Sequence, residues 1–249
     1  MKRSFFLLAA LLCAASSSFA QMTDTLRRRD PGGWEFMQVV QGPLVIAEGR
    51  THHGLHEGVW TTFWDNRLPH TITSYADGKR NGSYVEIRRT GQVEWLMNYT
   101  NDTLDGPSRR YYPGANIAEE TYYSRGVRSG WYTKWYLNGP MQEHSNYNHN
   151  VRDGKSSYYK ENGQLLAEYN FNLGKLDGDA TLYGDNGKVS EAGFYSHDDK
   201  TGIWKEYFPD GKLKTEGMYR NGEKDGVWKQ YDENGKELKP ITYKKSKGK

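Results

Sequence analysis

Gly202-Ile203-Trp204-Lys205-Glu206-Tyr207-Phe208-Pro209-Asp210-Gly211-Lys212-Leu213-Lys214-Thr215-Glu216-Gly217-Met218-Tyr219-Arg220-Asn221-Gly222-Glu223-Lys224-Asp225 is one copy of a unit that fills most of this chain. Its opening glycine recurs at 58, 82, 106, 130, 154, 178, 202 and 226, always 24 residues apart. A fixed period of this length marks an array of small supersecondary units that must stack on one another to bury a core. Counting from that glycine, position +17 is aromatic in every copy: Tyr75, Tyr99, Tyr123, Tyr147, Phe171, Tyr195, Tyr219 and Tyr243. Position +5 holds Phe63, Ile87, Tyr111, Trp135, Tyr159, Tyr183, Tyr207 and Tyr231.

The turn chemistry identifies the unit as a hairpin. Asn138-Gly139, Asn162-Gly163, Asn186-Gly187, Asp210-Gly211 and Asn234-Gly235 sit between runs rich in Tyr, Trp, Thr and Val, the strongest short-range hairpin signal. Position +20 holds Gly78, Asp102, Gly126, Asn150, Gly174, Asp198 and Gly222, residue types that tolerate positive φ. It predicts a second turn in each period, running to the next period glycine, as in Asn221 to Gly226. If the first loop has three residues with a left-handed glycine, the +5 side chain faces the apolar +11 residue (Val93, Ile117, Met141, Leu165, Val189 or Leu213) across the pair. Such cross-strand pairs contribute roughly 0.2–1 kcal/mol each, so only repetition makes the sum useful.

The fold expected is therefore all-β: an elongated single-layer antiparallel meander of β-hairpins built from 24-residue repeats. At roughly 10 Å per copy, eight copies would extend about 80 Å. No segment after the first twenty residues sustains a helical period. Mean hydropathy of −0.94 with 26% charged residues would fit a disordered chain, but 14% aromatics and 28 glycines on a fixed period contradict it. Large amphipathic rings must replace the usual aliphatic core.

The ends differ from the array. Lys2 and Arg3 precede an apolar run from Phe5 to Ala15, and small residues lead to Ala20. Residues 1–20 therefore read as a secretory signal peptide, which makes the protein exported: periplasmic, outer-envelope or extracellular. Cys13 is the only cysteine and leaves with that segment, so no disulfide or thiol chemistry is expected. Losing Lys2 and Arg3 leaves 32 basic residues against 31 acidic ones, with no basic stripe for nucleic acid. Residues 21–33 read as a leader, 34–57 as a degenerate capping repeat with Phe36 at +2, 58–243 as the array and 244–249 as a basic tail.

The pattern Gly-x-Trp-x-x-Tyr, then Asn-Gly-x-Leu-x-x-Glu, then Tyr-x-Asn-Gly and Asp-Gly is cleanest from Gly202 to Gly226. It resembles the MORN-repeat variant of bacterial proteins grouped as YwqK-type antitoxins, over about residues 34–243. The resemblance implies a meandering antiparallel sheet that serves as a scaffold for protein or membrane contact, and no catalytic residues.

Site chemistry is sparse in the sequence, so neither an enzyme, a cofactor nor a metal is expected. In His52-His53-Gly54-Leu55-His56, His56 with His52 or His53 offers two imidazoles three or four residues apart, with no third ligand at a fixed spacing. Aromatics that break the repeat are more informative. Trp64, Tyr112, Tyr136 and Phe208 share position +6 with Arg88, Lys160, Gly184 and Asp232. Alternation puts this column opposite the +5 ring, so its rings read either as partner anchors or as edge rings covering neighbouring backbone. The function expected is an exported, non-enzymatic scaffold for protein–protein recognition, antitoxin- or immunity-like in the cell envelope. The alternative is a module that binds a polysaccharide or membrane surface.

Overall fold

A computed structural model describes residues 23–244; the expected signal peptide and residues 245–249 of the tail lie outside them. The chain forms one antiparallel sheet in which each strand pairs with the next in sequence, from Thr23–Asp30 at one edge to Glu237–Tyr243 at the other. One strand is broken in two, Thr103–Leu104 and Gly106–Tyr111, and both parts pair with Val93–Thr100.

Within each copy the expected hairpin is present. Between Asp199–Tyr207 and Leu213–Arg220, the Phe208 amide donates to the Lys212 carbonyl at 2.8 Å, enclosing a three-residue loop in which Gly211 has φ 96°. Asp210 Oδ1 accepts the Lys212 amide at 2.9 Å, as Asn162 and Asn186 accept those of Gln164 and Lys188. Tyr207 then pairs with Leu213, Tyr183 with Val189 and Ile87 with Val93, the +5/+11 pairing anticipated above.

The second turn is tighter than the sequence suggested. Asn221 (φ 50°) and Gly222 (φ 79°) form a two-residue turn closed by Arg220 opposite Glu223, the mirror-image geometry that matches strand twist. The next strand, Glu223–Tyr231, therefore runs straight through Gly226. That glycine marks a bulge and not the end of a turn. Gly217 alone stands opposite Gly226, Val227 and Trp228, because Glu216 faces Lys229 and Met218 faces Asp225. The two extra residues need the positive φ of Gly226, 67°, and this recurring bulge is why a glycine opens every period.

Alternation gives the sheet two unlike faces. One holds the +2, +15 and +17 columns and is the core. Trp204, Trp228 and Ala180 are buried there, with Tyr169, Tyr195, Tyr219 and Tyr243 packed against them. Tyr195, Trp204, Tyr219, Trp228 and Tyr243 meet edge to face in sequence, with centroids 5.2–6.0 Å apart, the favoured geometry for ring quadrupoles. The +22 cations cap this series: Lys200 and Lys224 lie 3.9 Å over Trp204 and Trp228, and Arg80 lies 4.0 Å over Tyr99. The +5 rings lie on the opposite face, where Tyr183 donates to Glu168.

The +2 and preceding +15 positions are complementary in size. Each indole, Trp60, Trp204 or Trp228, covers Gly49, Gly193 or Gly217 so closely that a Cβ there would fall inside the ring. Each also donates its Nε1 proton to the next carbonyl, of Arg50 at 2.7 Å, Phe194 at 3.0 Å or Met218 at 3.2 Å. Where +2 is Tyr84 or Tyr132 the +15 residue is Thr73 or Thr121, and where it is Ala180 the partner position is Tyr169.

Two expectations at the N-terminus need correction. The leader contains a strand, Thr23–Asp30, fully paired with Trp34–Gln41. It lacks apolar alternation and is held by backbone pairing, by Arg27 and Arg29 on Glu35, and by Arg28 over Phe36. In the worn copy, Gln41 pairs with Leu44 across a two-residue turn, shorter than the loops elsewhere. The register moves accordingly, so Met37 and not Phe36 stands opposite core-face Gly49 and receives the Thr51 hydroxyl on its sulfur at 3.7 Å.

Candidate recognition surfaces

The sequence-selected +6 residues lie along the rim of the sheet, one per copy, beside the hairpin loops. All four are half-buried. Trp64 donates its Nε1 proton to the Ile87 carbonyl at 2.8 Å, and the Tyr112 and Tyr136 hydroxyls donate to Trp135 and Tyr159 carbonyls at 2.9 Å each. Arg88 makes the same reach to Tyr111. Each therefore bonds the +5 carbonyl of the following copy and stitches consecutive hairpins together. Phe208, with no polar atom, lines a shallow hollow of about 250 Å³ with Pro209, Val189 and Gly184. These four residues are spread along the array and are not gathered on one patch.

The opposite rim is tied in the same sense. Amides of Gly78, Asp102, Gly126, Asn150, Gly174, Asp198 and Gly222 donate to the +22 carbonyl of the previous unit at 2.7–3.0 Å. Asp102, Asn150 and Asp198 also turn a side-chain oxygen to that residue's amide, which explains the choice of Asp, Asn or Gly at +20.

Apolar side chains free of such duties lie on the open face, at +1 and +16. Toward the C-terminal end, Phe194, Ile203, Met218 and Val227 form an exposed strip across four consecutive strands, with Ile203 52% exposed. Ile203 and Met218 are direct cross-strand partners. They and Val227 floor an open groove of about 690 Å³, bordered by Lys205, Lys229, Glu216 and Asp225. The bare backbone of Gly217 at its centre reflects the Trp228 indole occupying the other side. The sequence reading passed over these positions, because +1 and +16 vary in type between copies; their signal was a large apolar residue recurring where alternation demands a polar one.

Titratable groups add little reactivity. Burial pushes the phenols of Tyr84, Tyr132 and Tyr195 up to about 12, helped respectively by Glu86, Glu119 and Tyr169. His52 stacks on Trp34 at 4.5 Å with the His53 ring tilted beside it at 4.2 Å, and His56 stacks on Trp60 at 3.8 Å, so each imidazole is engaged by a neighbouring ring. Among the described residues no group of three or more His, Cys, Asp or Glu is placed to hold a metal ion, and no helix is long and apolar enough to cross a membrane.

The family model for the MORN repeat variant matches residues 152–173, 200–221 and 224–245. Two of these stretches, 200–221 and 224–245, are one period apart and each starts on a +22 cation. The matched stretches are similar to that repeat in sequence, and the single open meander of hairpins accords with it. No curated protein matches the chain.

Proposed function

We propose that this protein is an exported, non-enzymatic scaffold that recognises a protein partner through the open face of its sheet, in an antitoxin- or immunity-like role in the cell envelope. The export reading rests on the sequence of residues 1–20. MORN repeats are generally thought to mediate protein or membrane binding, which supports the broader class. The observation that carries the reading to a protein partner is the strip Phe194–Ile203–Met218–Val227. Large apolar side chains left in water are costly at roughly 25 cal/mol per Å²; Ile203, Met218 and Val227 line one groove, with Phe194 exposed on the adjacent strand, and apolar patches rimmed by charge mark interaction sites.

The test is capture from envelope extracts of the native host with the full chain and with Ile203→Asp/Val227→Asp. A stoichiometric protein held by the wild type and lost by the variant, at unchanged melting temperature, is expected. Equal capture by both forms would refute the assignment of this strip.

A further inference from the structure

Midway along the array, the same open face carries a different surface. Trp131, at +1, is 52% exposed, and Tyr122, on the neighbouring strand, is 38% exposed. A Cβ built on Gly130 would lie 3.5 Å from that of Tyr122, which sets the tyrosine directly beside the strand segment bearing the indole.

Trp131 is held in place. Its indole lies against the imidazole of His144, centroids 4.6 Å and planes 16° apart. The imidazole is fixed in turn by Thr133, whose Oγ1 is 3.0 Å from His144 Nδ1. Across the strand pair from Trp131, Asn146 donates its Nδ2 proton to the Asp153 carbonyl at 2.9 Å, which leaves its Oδ1 as an acceptor beside the ring.

The flanks are electrically closed. Arg109 pairs with Glu120 at 2.6 Å on one side, and Lys155 with Glu168 at 2.6 Å on the other. A polyanion would require unpaired cations here. A peptide adding by main-chain pairing would go to a free strand edge, whereas these strands are paired on both sides.

We propose that Trp131 and Tyr122 form a platform for an uncharged saccharide chain, whose apolar ring faces lie on the two aromatic rings and whose hydroxyls reach the Asn146 amide. Rigid rings need little ordering on binding, which favours a platform over flexible side chains. The site stands apart from the C-terminal strip and does not depend on the protein-partner reading.

The experiment is calorimetric titration of the full chain with neutral hexasaccharides of glucose (β-1,4 and β-1,3), of N-acetylglucosamine and of mannose, alongside a heparin hexasaccharide. Saturable binding of at least one neutral sugar is expected, weakened about tenfold or more by Trp131→Ala, to a smaller degree by Tyr122→Ala, and unchanged by Ile203→Asp. The His144→Ala variant keeps both rings while releasing the indole, and should also weaken binding. No neutral sugar bound, the heparin fragment alone bound, or equal binding by Trp131→Ala would each overturn the proposal.

Discussion

At the scale of single residues, the stability of the array turns on a steric exchange across the bulge. Trp228 is 2% exposed and occupies the volume that a side chain at Gly217 would need. Gly217→Ala should cost about 1–3 kcal/mol by overpacking, and Trp228→Ala about 3–5 kcal/mol by leaving a cavity. The double variant should cost less than the sum, since an alanine at 217 no longer meets an indole; denaturant unfolding of the three variants measures this. His56 supplies a pH-dependent counterpart. It occupies the +22 position that holds Lys200 and Lys224 elsewhere, and burial lowers its pKa below the usual 6.5. The folded state thus favours the neutral ring. Its contribution is complete above about 6.5 and is lost as the pH falls through the lower folded value. Melting temperature should therefore fall less between pH 7.5 and 5 in His56→Gln than in the wild type. The sequence made the +17 rings legible because every copy repeats them. The +2 rings were not, because their size trades against +15, and a column holding Trp60, Ser108 and Ala180 looks variable until its partner is known.

At the scale of the hairpin, the turn columns read well for a physical reason: positive φ admits few residue types, so composition reveals geometry. Leu173 departs from this rule. It adopts φ 49° at the first position of a two-residue turn while 73% exposed, where Asn221 stands in the equivalent turn. A left-handed conformation costs a non-glycine residue roughly 1–2 kcal/mol, so Leu173→Asn should raise stability by a good part of that, measured by thermal melts. The ring series makes a separate prediction. Ultraviolet titration should show a late class of tyrosines, Tyr84, Tyr132 and Tyr195 among them, ionising near 12, and denaturant should return them to about 10. What the sequence did not separate was the two aromatic rows. Both +5 and +17 are structural, yet they lie on opposite faces: Tyr207 is an odd three residues from Trp204 on its own strand, whereas Tyr219 pairs with Gly202, an even two residues from Trp204. The bulges prevented that count from being carried from one strand to the next.

For the whole molecule, the open sheet was legible from the period alone, while the surfaces proposed for recognition were not. Repetition exposes what every copy needs and hides what single copies do, so Trp131 and Ile203 escaped notice although both are large and exposed. With roughly 4.8 Å between strands the sheet is about 85 Å along its stacking direction. Solution scattering should give a radius of gyration well above the roughly 18 Å of a compact chain this long. Because each strand hydrogen-bonds only with its neighbours in the sheet, removing residues 202–249 should leave the preceding copies folded, with the circular dichroism of the β-sheet reduced in proportion to length.

That every strand pairs with its neighbour in sequence has a kinetic consequence. Sheet proteins are usually slow to fold because distant segments must find one another. Among the described residues, long-range side-chain contacts such as Lys160 to Asp185 and Tyr169 to Tyr195 span only 25 and 26 residues, so closing entropy is small at every step. Once one pair of hairpins has formed, the others add in order from either side. Stopped-flow refolding should accordingly show a main phase faster than the milliseconds to seconds of non-local β-sandwiches, with progress spreading along the chain like the closing of a zip.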